Sequence, residues 1–66
     1  MNTIKIKCRT KKSTESFDIE IDKIIYILSR LENNSKLKYK NQKQVEFLLE
    51  KYNLFDEYFL KNVNMI

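Results

Sequence analysis

Polar and apolar residues alternate along the first third of the chain, and then the period changes. From Thr3 to Arg9, Ile4, Ile6 and Cys8 fall on one side while Lys5, Lys7 and Arg9 fall on the other. That is the two-residue period of a half-buried strand, and β-branched Ile suits it. Alternation returns over residues 16–21, with Phe17, Ile19 and Ile21 inward and Asp18 and Glu20 outward. The polar stretch 10–15 between them reads as a loop, so the two strands predict a β-hairpin. No Asn-Gly or Asp-Gly turn is present, which implies a longer connection.

Beyond residue 22 the spacing becomes helical. Asp22 is placed to cap a helix over 23–33, in which Ile24, Ile25, Ile27, Leu28 and Leu31 form one apolar stripe. Asn33-Asn34 can take the left-handed conformation that ends a helix where glycine is lacking. Residues 35–40 alternate again, with Leu37 and Tyr39 on one side, and predict a short third strand. Asn41 followed by Gln44 has the form of a capping box. Val45, Leu48, Leu49 and Tyr52 make a second stripe, Asn53 breaks it, and a third helical stretch runs from Leu54 to about Val63. The order strand–strand–helix–(strand)–helix–helix predicts a single α+β domain over residues 1–66.

Composition narrows what such a domain can do. The chain of 66 residues has no Gly, Pro, Trp or His, one Cys and a formal charge of +4. Richness in Lys, Asn and Ile, with Arg only at positions 9 and 30, fits an AT-rich genome such as that of a virus, a phage or a low-GC bacterium. A hydrophobic content of 42% with strong periodicity favours folding over disorder. No apolar run approaches the roughly 18 residues of a membrane span. The first residues lack the apolar core of a secretory signal. With a lone cysteine unable to form an internal disulfide, a cytoplasmic setting is expected.

Catalysis is not expected. Without histidine the commonest general base and metal ligand is missing, and Cys8, on the inward face of its strand, has no imidazole to activate it. Metal binding would have to use carboxylates alone. Asp18, Glu20 and Asp22 are better explained as cross-strand partners of Lys5 and Lys7. Without glycine there is no phosphate-cradling loop. No cofactor is expected.

Charge comes in blocks, basic at Lys5, Lys7, Arg9, Lys11 and Lys12, then acidic at Glu15, Asp18, Glu20 and Asp22. Laid side by side in a hairpin these blocks largely cancel. What remains is Lys36, Lys38, Lys40 and Lys43 with Tyr39 among them, a group able to hold phosphates and stack a base. Lysines guarding an edge strand explain the same pattern.

The two strand faces and the first two helical stripes hold enough apolar residues for one core. Tyr26, Phe47, Leu54, Phe55, Tyr58, Phe59 and Leu60 stand beyond them. Tyr26 and Phe47 fall off their stripes; Leu54, Phe55, Tyr58, Phe59 and Val63 sweep about half a helix at 100° per residue, with Leu60 outside that sweep. Such a surplus either closes the core of a small domain or forms an interface, where aromatic anchors carry much of the energy. Tyr26, Phe47, Leu54, Phe55, Tyr58 and Phe59 are therefore the candidate partner-binding residues.

The opening Ile4-Lys5-Ile6, then Phe17-Asp18-Ile19-Glu20-Ile21, a helix with Ile27-Leu28 and Leu31, and Leu37-Lys38-Tyr39-Lys40-Asn41 leading to Val45–Tyr52 resemble the BTB/POZ superfamily. The branch they are most similar to is that of elongin C and the S-phase-kinase-associated adaptors. The resemblance covers about residues 3–52 and rests on patterned apolar positions. The chain departs from it in lacking the hairpin Asp-Gly, in its short spacer before the third strand and in its few C-terminal helices. The first half is also similar to a ubiquitin-like β-grasp start. The adaptor resemblance implies a non-enzymatic protein-binding role.

The expected function is thus a protein-interaction module, acting as an adaptor, subunit or inhibitor of another protein. A homo-oligomer using the same surplus is a further possibility. The alternative is a small basic nucleic-acid-binding protein using Lys36, Lys38, Tyr39, Lys40 and Lys43.

Overall fold

The computed structural model describes residues 2–66, and its N-terminal part is an antiparallel hairpin. Strand β1 (Thr3–Arg9) pairs with β2 (Thr14–Glu20), so that Ile6 faces Phe17 and Ile4 faces Ile19. β2 begins two residues earlier than the alternation from 16 onward suggests. The turn is closed by Thr10, whose amide donates to the Ser13 carbonyl at 2.8 Å and whose hydroxyl accepts from the Ser13 amide at 3.1 Å. A threonine side chain thus holds a turn that glycine commonly makes.

Helix α1 (Ile21–Leu31) starts directly at the end of β2. Asp22 does not cap it. Glu20 occupies the N-cap position without a side-chain bond, and Asp22 sits in the first turn, where its charge complements the helix dipole. Helix α2 (Gln42–Lys51) is capped as expected: the Asn41 carboxamide accepts from the Gln44 amide at 2.8 Å. The reciprocal bond is displaced by one residue, because the Gln44 side chain accepts from the Lys40 amide at 2.8 Å. Both helices end on an asparagine with positive φ, Asn33 at 54° and Asn53 at 58°. In each case the next amide reaches back five residues, Asn34 to Ser29 at 2.9 Å and Leu54 to Leu49 at 2.7 Å. This is the Schellman closure, made by asparagine in a chain that has no glycine.

Residues 35–40 do not form the third strand. Among the described residues the sheet has two strands, and the stretch runs as an irregular connection. Its alternation still orients side chains, since Leu37 and Tyr39 pack against the core while the lysines stay exposed. The physical obstacle to pairing is charge. A strand here would set Lys36, Lys38 and Lys40 on the face that carries Lys5, Lys7 and Arg9, and like charges on neighbouring strands repel.

The last helix is shorter than its apolar pattern. Helix α3 (Glu57–Asn62) begins after Asp56, whose carboxylate accepts from the Phe59 amide at 2.8 Å, and a 3-10 turn (Val63–Met65) follows. Asn53 and Asp56 both break the helical phase, so Leu54 and Phe55 precede the helix instead of lying on it. Leu60 and Val63 consequently face inward together and are buried, whereas one continuous helix from Leu54 would put Leu60 outside the sweep that holds Val63.

The core is one layer of sheet covered by helices. Ile4, Ile6, Cys8 and Ile19 meet Ile24 and Leu28 of α1, Val45, Leu48 and Leu49 of α2, and Leu60 and Val63. The chain end is tied to the sheet by Asn64. Its carboxamide accepts from the Glu20 amide at 2.9 Å and donates to the Asp18 carbonyl at 2.8 Å, so the side chain pairs with β2 as a neighbouring peptide would. The Asn64→Ala variant should lower stability by about 1–2 kcal/mol, the cost of leaving two backbone groups without a partner. It should also speed exchange of the Glu20 amide. Unchanged exchange at Glu20 would show that the clamp is not formed in solution.

Candidate protein-interaction surface

The six apolar candidates divide into two sets. Leu54, Phe55 and Phe59 are half-buried and pack against the core, so the domain uses them for its own closure. Leu54 is turned inward by the Asn53 closure. The Phe55 backbone lies over the end of β1, its carbonyl 3.9 Å from the Cys8 sulfur. Tyr26, Phe47 and Tyr58 are 57%, 67% and 81% exposed.

Those three share one geometric cause. Each lies two residues from a buried core residue of its own helix: Tyr26 between Ile24 and Leu28, Phe47 between Val45 and Leu49, Tyr58 before Leu60. Two residues are about 200° of helical rotation, so each ring leaves the side opposite the core. Every α-helix among the described residues therefore carries one large aromatic on its outer face. Tyr26 is further held by Arg30, whose guanidinium lies 5.7 Å from the ring centroid and donates to the phenol oxygen at 3.1 Å. The two residues line a surface depression of about 320 Å³ with Ser29, Asn33, Asn34 and Ser35. Met65 and Ile66 are also exposed, and so is Leu31, which the spacing places on the apolar stripe of the first helix but which lies at the solvent-facing end of α1.

A polar cluster joins the ends of α1 and α2. The Glu32 carboxylate accepts from the Lys51 ammonium at 2.8 Å and from the Tyr52 hydroxyl. The Lys51 hydrogen bond, followed by that of Tyr52, lowers the Glu32 pKa below its ordinary value, and the bond to Glu32 raises that of Tyr52. Tyr52 belongs to the second apolar stripe, and its ring packs on the core while its hydroxyl serves this cluster. A contact between residues twenty apart leaves no local trace in the sequence.

The candidate phosphate-binding stretch is only partly available. Lys36, Lys38, Lys40 and Lys43 are exposed, whereas Tyr39 is half-buried against the core, so its ring offers less surface for stacking a base.

The outer face of the hairpin departs from the expected cancellation of charge. Register pairs Lys5 with Asp18, their charged groups 3.8 Å apart, but it sets Lys7 opposite Ser16 and Arg9 opposite Thr14. Lys7 and Arg9 thus face hydroxyls. Glu20 instead pairs with Lys23 at 3.7 Å. Near the hairpin tip, Thr10, Lys11, Lys12 and Glu15 face Glu57 and Lys61 of α3 across a second depression of about 480 Å³. There Glu57 is engaged by Lys61 at 2.9 Å.

Cys8 is buried, and desolvation, then the carboxylates of Asp56, Glu57 and Glu15, raise its thiol pKa. A thiol so placed has little thiolate character at neutral pH. Among the described residues no group of three His, Cys, Asp or Glu side chains could hold a metal ion, and no helix is long and apolar enough to cross a membrane. No protein-family description, curated protein or solved structure matches the chain.

Proposed function

We propose that the chain is a non-enzymatic protein-interaction module, an adaptor, subunit or inhibitor that docks on another protein through the outer faces of its helices. The observation that carries this reading is the exposure of Phe47 and Tyr58 on a domain whose core closes without them. Scattered exposed apolar residues are ordinary, but aromatics presented on rigid helices are the residue type that anchors interfaces. The raised thiol pKa of Cys8 and the absence of histidine support a role without chemistry. The resemblance to the adaptor branch of the BTB/POZ superfamily points the same way.

The test compares the parent with a Phe47→Ser, Tyr58→Ser variant. Both side chains are exposed, so the variant should melt within a few degrees of the parent. Recovery of the native partner should fall at least tenfold, since interface aromatics commonly cost more than about 1 kcal/mol each when truncated. Light scattering over a range of concentrations identifies the case in which the partner is a second copy. Equal recovery of the same partner by parent and variant removes the reading.

Nucleic-acid binding is the second reading, favoured by the exposed lysines of the 36–43 stretch and by Lys7 and Arg9, which face hydroxyls across the hairpin. Its mark is a steep loss of affinity with added salt. A titration showing no complex at low salt discards it.

A further inference from the structure

The outer edge of β1 is an unfilled strand position. The Ile21 amide donates to the Asn2 carbonyl, while Asp18 and Glu20 turn their backbone groups toward Asn64. Residues of an antiparallel strand alternate between facing the partner strand and facing away. Ile4, Ile6 and Cys8 of β1 therefore bond to β2, and Thr3, Lys5 and Lys7 direct their N–H and C=O groups outward. Asn64 occupies part of the β2 edge. On β1 the outward groups of Thr3, Lys5 and Lys7 take no hydrogen bond from any described residue.

The geometry points to this edge as the docking site of an acidic, extended segment of a partner protein, added to the sheet as a third strand. Charge decides the occupant. Lys5, Lys7 and Arg9 stand in a row on the exposed face, and only Lys5 has a carboxylate opposite. A second copy pairing edge to edge in antiparallel fashion would set lysine or arginine opposite lysine in every register that pairs five or more residues of β1 and keeps this face outward. Edge lysines deter neutral and basic strands in the same way. A strand with Asp or Glu at alternate positions meets no such barrier and gains cross-strand ion pairs. Main-chain bonds supply affinity and the alternating acids supply selectivity, as in strand addition generally. Its intervening side chains would lie on the same side of the sheet as Ile4, Ile6 and Cys8, the side that meets α2, where apolar residues are the compatible type.

The probe is an acetylated heptapeptide alternating glutamate and valine, added to the full chain labelled with 15N. At about ten times its Kd, exchange of the Lys5 and Lys7 amides should slow about tenfold. The lysine–valine counterpart, and the acidic peptide N-methylated at alternate amides, should give no slowing. A Lys5→Glu, Lys7→Glu variant should exchange the preference, taking the lysine peptide. The proposal fails if the N-methylated peptide binds as well as the parent peptide, or if the two amides keep their free rates. It fails equally if oligodeoxythymidine binds in preference to the acidic peptide while those amides stay unprotected. The inference rests on the chain being an interaction module but not on its helical aromatics. The Phe47→Ser, Tyr58→Ser variant should bind the heptapeptide like the parent, so either idea can fall alone.

Discussion

The Ile6→Ala variant is expected to lose most of its folded population at 25 °C. Ile6 has no exposed surface, sits at the middle of β1 opposite Phe17, and lies under the helical layer. Truncating a buried isoleucine costs about 2–5 kcal/mol, through lost transfer free energy and the cavity left behind. A single core in a chain of this size rarely supplies more than about 3–5 kcal/mol in total. The loss therefore rivals the whole stability of the domain. Amide dispersion and a urea titration read the outcome. Ile6→Val, costing about 0.5–1.5 kcal/mol, should stay folded with a lower midpoint. An alanine variant with the parent's urea midpoint would mean that the hairpin does not pack as described.

The elements legible in the sequence are those with local causes. Alternation across Thr3–Arg9 gives the first strand because one face is buried along its whole length. The Asn41–Gln44 cap and the asparagines that end α1 and α2 act within five residues of their partners, so their signals survive without tertiary knowledge. The third strand failed for the complementary reason. A strand exists only with a neighbour, and Ser35–Lys40 carries the wrong charge for the edge available to it.

Phase explains the errors near the C-terminus. Counting 100° per residue from Leu54 assumes one continuous helix, but Asp56 is extended, with φ −139° and ψ 160°, and restarts the count at Glu57. Leu60 then moves to the core side and Tyr58 to solvent. The charge estimate for the hairpin failed on register. Blocks of opposite sign adjacent in sequence neutralise one another only when residues pair, and the turn at Thr10–Ser13 sets Lys7 against Ser16. Register depends on that turn, and in a sequence without Asn-Gly its length cannot be read from residue types alone. Asn64 was invisible because its partners lie more than forty residues away.

The Phe55→Ala, Phe59→Ala variant separates core from surface at the place where sequence and structure disagree most. Both rings are half-buried against the core, and the Phe55 backbone covers the Cys8 end of β1. Removing a fully buried phenylalanine costs about 3–5 kcal/mol, so a half-buried one should cost roughly half as much. At about 4–8 °C of Tm for each kcal/mol in a domain of this size, the double variant should melt more than about 10 °C below the parent. The two sites are four residues apart on one packed segment, so their effects need not add. The Phe47→Ser, Tyr58→Ser variant provides the contrast, with partner binding lost and Tm nearly unchanged. Were the Phe55, Phe59 variant to melt with the parent and lose the partner, those rings would be the contact surface. The domain would then close on a smaller core, with Leu60 and Val63 as its last members.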